Sequence, residues 1–240
     1  EQAPSTADDV RLGAAIEAAN QEVIDAPAKG IGKPGMGSTA SAVLIEGNQM
    51  AVAHVGDSRI YLLHHGTLVR ITHDHSYVEE LIDSGQITAD EARTHPSRSV
   101  VTRALGSDPD MYADHFSLEV SDGDRIILCS DGLSGMVPDD EIEAIAVSNV
   151  TPQKAADNLV SAALTYGGSD NITVIVIDVL DDGIADQTRK HLTRGVIATF
   201  VSFLALFAAT VAVFFLFVSS EWYLGINGTT VGVYRGIPTT

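Results

Sequence analysis

The sequence predicts an α+β fold, antiparallel sheets flanked by helices, followed by one transmembrane helix. Three observations carry this. Apolar residues recur with the period of strands in grouped runs, and helical patterns stand before, between and after those runs. The 240 residues are 45% apolar and only 19% charged, enough for a sizeable buried core. Residues 195–218, GVIATFVSFLALFAATVAVFFLFV, contain no charge, with Thr199, Ser202 and Thr210 the most polar members, which meets the roughly 20-residue requirement for a membrane span.

The elements follow in order. Residues 6–25 form a helix with Leu12, Ile16, Ala19 and Val23 on one stripe and Asp8 and Asp9 near its positive end. Residues 27–37, PAKGIGKPGMG, are a Gly/Pro loop. From Ser38 the period shortens to that of strands. STASAVLIEG, NQMAVAHVGD, SRIYLLHHG and TLVRIT are each closed by turn residues and predict a meander of four short strands. Residues 76–84 turn helical, and Thr88-Ala-Asp-Glu91 is a capping box that opens a short helix. Strands return at His115 to Val120 and Arg125 to Ser130. Pro138 and Pro152 stand where the first turn of a helix begins, Pro152 behind a Thr151 cap, and a final strand starts at Asn171. Residues 1–181 thus make one domain, 182–194 a polar juxtamembrane linker, 195–218 the membrane helix and 219–240 the start of an outer region. Arg189, Lys190 and Arg194 precede the span and only Arg235 follows it, so the positive-inside bias puts the domain in the cytoplasm of a single-pass membrane protein. Trp222 and Tyr223 fall where an interfacial aromatic belt lies.

The charge balance excludes partners. Lys and Arg number 14 against 32 Asp and Glu, a formal net charge of -18. So acidic a surface repels phosphate backbones, which argues against nucleic acid; a phosphorylated substrate has to be met through bridging cations. Cys129 is the single cysteine, so no disulfide forms within the chain, and Gly135 stands where the tyrosine-phosphatase pattern needs an arginine. Cys129 reads as a buried strand residue. GMGST, residues 35–39, lacks the Gly-Lys-Ser/Thr ending of a P-loop.

Three carboxylates stand at strand ends with glycine close by. Asp57 follows AVAHVG, Asp131 follows RIILCS, and Asp170 precedes NITVIVIDV in GGSDN. A buried strand holds its end rigidly, and small neighbours let an ion or a phosphate approach the backbone. Converging carboxylates repel unless cations neutralise them. All-oxygen donors select hard ions, Mg2+ or Mn2+, and the absence of paired Cys and His ligands argues against zinc. On spacing alone, three ordinary turns in an acidic protein account for the same residues. His73, Asp74 and His75 look like a further cluster, but the two imidazoles are expected to diverge rather than to share an ion.

Six segments decide between these readings. GMGSTA (35–40), AHVGDSRIYL (53–62), ITHDHS (71–76), RALG (103–106), LCSDGLSG (128–135) and GGSDNITVIVI (167–177) resemble, in order, the motifs of the metal-dependent type 2C Ser/Thr protein phosphatases. With the span behind the domain, the chain is similar to the bacterial, membrane-anchored actinobacterial members. The resemblance covers about residues 1–180. It implies a face-to-face antiparallel β-sandwich with helices outside, in αββα layers, with Asp131 and Asp170 as ligands of a two-metal centre and Asp57 as ligand of a third ion. It further implies a flap from Tyr77 to about Arg103 whose Ser99 approaches that third ion, and Mn2+ or Mg2+ as cofactor, two or three ions. The implied activity is hydrolysis of phosphoserine and phosphothreonine in proteins by a metal-activated water, and within this fragment no catalytic residue is expected beyond the metal ligands. The implied partners are phosphorylated proteins and the membrane Ser/Thr kinases whose work is reversed.

One departure qualifies this. The family carries an arginine clamp and an Asp-Gly segment upstream of the VGDSR motif, and no Asp-Gly pair occurs here before residue 57. The expectation is a fragment lacking the opening strands, itself inactive. The alternative is a non-catalytic, membrane-tethered pseudophosphatase that binds partners.

Overall fold

The computed structural model describes residues 7–180, together with the backbone of 222–227 and 230–235. The first residues form α1 (Ala7–Asp25), which buries Ile16 and Asn20, and a short 3-10 turn (Ala26–Lys29) follows. Strands β1 (Ala40–Glu46) and β2 (Gln49–Val55) make one hairpin, β3 (Arg59–His64) and β4 (Thr67–Arg70) a second. Helices α2 (Tyr77–Asp83) and α3 (Ala89–Arg93) come next, then β5 (Asp114–Glu119) and β6 (Arg125–Cys129). The one-turn α4 (Asp131–Ser134), α5 (Asp139–Ser148), α6 (Pro152–Thr165) and β7 (Val174–Asp178) complete the domain.

The sheets pair as β1-β2-β5 and β4-β3-β6-β7, antiparallel throughout. Here the expected four-strand meander is corrected: the chain leaves one sheet after β2 and enters the other at β3. The crossing is made at Gly56, whose φ of 111° lies in the region that favours glycine, and a side chain there would run into that of Thr39. A strand-period pattern is the same whether the next hairpin extends a sheet or packs on it.

Three apolar layers follow. Met50 and Val52 from the first sheet meet Ile60 and Ile126 from the second in an inner core, so the sheets pack face to face. Ala53 and Val55 turn outward against Ile16, Leu105 and Met111. Tyr61, Leu63, Ile127 and Cys129 turn outward on the other side against Leu133, Ile142, Leu159 and Ala163. The helices therefore lie outside both sheets, and Cys129 is the buried strand residue expected, 4% exposed.

Local signals behave largely as read. Thr88 and Glu91 form the capping box, and Thr151 accepts from the backbone N–H of Lys154 with Pro152 at the first helical position. Pro138 departs from expectation: it is the N-cap of α5, extended at ψ 150°, and helical geometry begins at Asp139. The final strand starts at Val174 rather than Asn171, because 171–173 fasten across to Ser130 instead of pairing along the sheet.

The expected membrane span, residues 195–218, and the linker before it lie outside the described residues; among those described, no helix is long and apolar enough to cross a membrane. A separate hairpin of β8 (Trp222–Asn227) and β9 (Thr230–Arg235) pairs Trp222 with Arg235 through to Asn227 with Thr230, in a stretch to which the sequence reading gave no strand.

Candidate active site

One cleft of about 780 Å³ opens at the end of the sandwich, and all three strand-end carboxylates line it together with Ser99. Asp57 sits just past β2 on the crossing between sheets. Asp131 is the first residue of α4, where the helix N-terminus favours a carboxylate. Asp170 reaches the same wall because two loops are stitched together. The Ser130 backbone N–H donates to Thr173 O at 3.1 Å, the Thr173 N–H donates back to Ser130 Oγ at 3.0 Å, and the Ser130 hydroxyl donates to Asn171 O at 2.9 Å. Gly132 completes the seam, since a Cβ on it would collide with the Asn171 carbonyl, whose carbon would stand 2.9 Å away.

The electrostatics show that these carboxylates share one field. Burial, and next the charge of Asp131, push the Asp57 carboxyl up to about 6. Burial, and next the charge of Asp170, raise Asp131. Asp131 is thus the middle member, acting on Asp57 and acted on by Asp170. The three do not crowd one point: among the described residues, the trio whose ligand atoms lie within 4.8 Å of one another is His73, Glu79 and Asp83. Spread carboxylates with a shared central member suit more than one cation, and their unrelieved repulsion is what a divalent ion relieves.

The HDH stretch does separate its two imidazoles, though not by strand alternation: residues 71–75 lie beyond the end of β4, and a strand would have set His73 and His75 on one face. His73 is exposed and contacts Asp83 at 2.9 Å, Asp74 is buried against Arg59, and His75 is buried beneath Gly56. Glu79, the third member of the His73 group, is already paired with Arg70.

Several cleft residues were not foreseen. Arg59, next but one to Asp57, makes a bidentate pair with Asp74, Nη2 to Oδ2 at 2.7 Å and Nε to Oδ1 at 3.1 Å, and donates from Nη1 to the Tyr61 hydroxyl at 3.2 Å. Arg93 donates to the carbonyls of Ser134 and Val137 at 3.2 and 3.3 Å, tying α3 to the end of α4. Arg70, Arg98 and Tyr166 line the cleft as well. Basic residues inside so acidic a domain were the available signal; which of them gather here is set by long-range pairing. The segment from Tyr77 to Arg103 is fastened at its base, where Tyr77 N–H donates to Val100 O at 2.9 Å and Thr102 N–H to His75 O at 2.8 Å.

Comparison with known proteins agrees with this arrangement. Residues 4–81 match the family model described as Protein phosphatase 2C, and residues 83–180 match Stage II sporulation protein E (SpoIIE). The crystal structure of the Mycobacterium tuberculosis serine/threonine phosphatase PstP/Ppp superposes with a TM-score of 0.69 at 38% identity, covering 75% of this chain and 76% of that one. The chain belongs to the protein phosphatase 2C family. Another phosphatase 2C structure, the catalytic domain of PstP in complex with 2 manganese ions, gives a TM-score of 0.67 at 37% identity over 74% of each chain. Among curated phosphatase 2C relatives, the serine/threonine phosphatase stp of Listeria monocytogenes is 39% identical over 163 residues, 68% of this chain and 65% of its own length. PstP of Mycobacterium tuberculosis is 42% identical over 172 residues, 71% of this chain and 33% of its own. The chain therefore spans less than two thirds of those curated relatives.

Proposed function

We propose that the protein hydrolyses phosphoserine and phosphothreonine in other proteins with the help of divalent cations, Mn2+ or Mg2+. The observation that carries this is the set Asp57, Asp131 and Asp170, brought from three distant strand ends to one cleft where their charges oppose one another. Asp131 and Asp170 would hold the catalytic cations, and Asp57 with Asp131 a further one, which Ser99 borders. When bound, such cations supply Lewis-acid activation of water and neutralise the charge of a phosphoryl group. The chain's own residues present the acidic oxygens, keep them at fixed separations through the strand ends, and leave an open cleft wide enough for a phosphorylated side chain.

Family membership and a manganese-bound relative support the reading. The uncharged stretch at 195–218 supports a domain held at the cytoplasmic face of a membrane, where the phosphoproteins made by membrane Ser/Thr kinases are its substrates. Residues 1–56 contain no Asp-Gly pair, so this polypeptide by itself is expected to hydrolyse slowly. The same feature favours a second reading, a tethered pseudophosphatase, against which the retained carboxylates argue.

The test is phosphate release from a phosphothreonine peptide by the full-length protein with and without Mn2+, beside Asp131→Asn. The substitution should cost more than the roughly 10- to 100-fold typical of a residue that only supports a ligand. Equal rates in the two proteins eliminate the metal mechanism, and no Mn2+-dependent release in either leaves the pseudophosphatase.

A further inference from the structure

The corner that presents Asp57 is gripped by two buried histidines. Gly56, the freest residue of that corner, has both its polar backbone groups taken. Its N–H donates to Nδ1 of His75 at 3.0 Å, and its carbonyl accepts from Nε2 of His54 at 3.0 Å and from the His75 backbone N–H at 2.7 Å. These contacts fix the tautomers. An accepting imidazole nitrogen carries no proton, so the ring proton of His75 sits on Nε2, where it donates to Asp114 Oδ2 at 2.9 Å. His54 carries its proton on Nε2, and its Nδ1 accepts from the Ser41 hydroxyl at 2.8 Å. Asp114 in turn accepts from Arg103 at 2.6 Å. The two rings lie 5.1 Å apart between centroids.

We propose that His75, oriented by Asp114 and Arg103, and His54, oriented by Ser41, are positioning residues that lock the two peptide planes on either side of Gly56 and so aim the Asp57 carboxylate into the cleft. The inference rests on the reading of Asp57 as a metal ligand. Holding the N–H and the C=O of one glycine fixes its φ and ψ together, and those two angles decide where the next side chain points. Apolar side chains of similar size would fill the same space more cheaply, because burial, and next the neighbouring His75, drive His54 down to about 4. Opposing its own burial, Asp114 is held at about 2 by the hydrogen bonds from His75 and Arg103, so the outer end of the relay stays charged and keeps the His75 ring turned.

The test separates the two functions of the His75 ring. His75→Asn sets an amide oxygen near the place of Nδ1 and keeps an acceptor for Gly56, but falls short of Asp114. His75→Gln reaches Asp114 and offers Gly56 nothing. In the full chain, Mn2+ affinity is read by electron paramagnetic resonance of the free ion, and metal-free thermal unfolding reports folding. His75→Gln should weaken Mn2+ binding by roughly 10- to 100-fold, the usual effect of losing a residue that orients a ligand, while His75→Asn stays near wild type. Unchanged affinity in His75→Gln, or equal losses in both variants, overturns the clamp. Should His75→Gln fail to fold, Ser41→Ala and Arg103→Gln at the outer ends of the relays must each lower affinity about two- to tenfold, the worth of one hydrogen bond, and no change in either overturns it. Asp57→Ala distinguishes the levels: if it binds Mn2+ like wild type, the ligand reading falls and takes the clamp with it, whereas a loss there with unchanged His75→Gln removes the clamp alone.

Discussion

Replacing Asp57 by asparagine keeps the shape of the side chain and removes a charge that the metal-free fold opposes. Burial and the Asp131 charge hold the Asp57 carboxyl at about 6, against an ordinary 3.8. At ~1.4 kcal/mol per tenfold change in proton affinity, that gap is roughly 3 kcal/mol, and contact with the water of an open cleft reduces it to about 1 to 2 kcal/mol. The sign follows from the raised value. Wild type has the full benefit below pH 3.8, where folded and unfolded chains both hold the proton, and loses it as pH rises through about 6. Asp57→Asn cannot lose it, so in EDTA at pH 7.5 the variant should be the more stable protein, by roughly 3 to 6 °C in Tm for a domain of this size. Thermal unfolding of both proteins between pH 4 and pH 8 should show the difference opening across the acid range and staying level above pH 6.5. Millimolar Mn2+ should then narrow or reverse the difference, because wild type gains from the cation at Asp57 as well as from those at Asp131 and Asp170. A variant less stable than wild type in EDTA at neutral pH, or a difference that ignores pH, would refute the reasoning that these carboxylates are held together against their own repulsion.

Other substitutions probe how the site is held. Gly132→Ala should destabilise the domain by about 1 to 3 kcal/mol in urea unfolding and weaken Mn2+ binding, because the added methyl pushes the Asp131 and Asp170 loops apart at Asn171. Asp178→Ala strands the buried Arg125 guanidinium, which it meets at 2.6 and 2.9 Å, and should cost about 3 to 5 kcal/mol in the same assay. Leu159→Ala opens a cavity beneath α6 and should cost about 2 to 5 kcal/mol with Mn2+ affinity unaltered. His54, lowered to about 4 from 6.5 chiefly by burial, supplies stability that is present above pH 6.5 and lost as pH falls through 4; in the Asp57→Asn background, His54→Gln should flatten that acid limb, worth up to about 3 kcal/mol.

Much of this was legible along the chain, and the reason is range. The cap at Thr88, the Pro152 start of α6, the strand periods on either side of Gly56 and the carboxylates at strand ends each depend on residues a few positions apart, whose sterics and hydrogen bonds act wherever the segment lies. What the tertiary structure decided is who meets whom. Nothing local told that the chain changes sheets at Gly56, that Arg59 would pair with Asp74, that Gly132 would lie against Asn171, or that His54 and His75 would close on one glycine. Those meetings are chosen by the burial of two sheets against each other, a sum over the whole core that no short window of sequence contains.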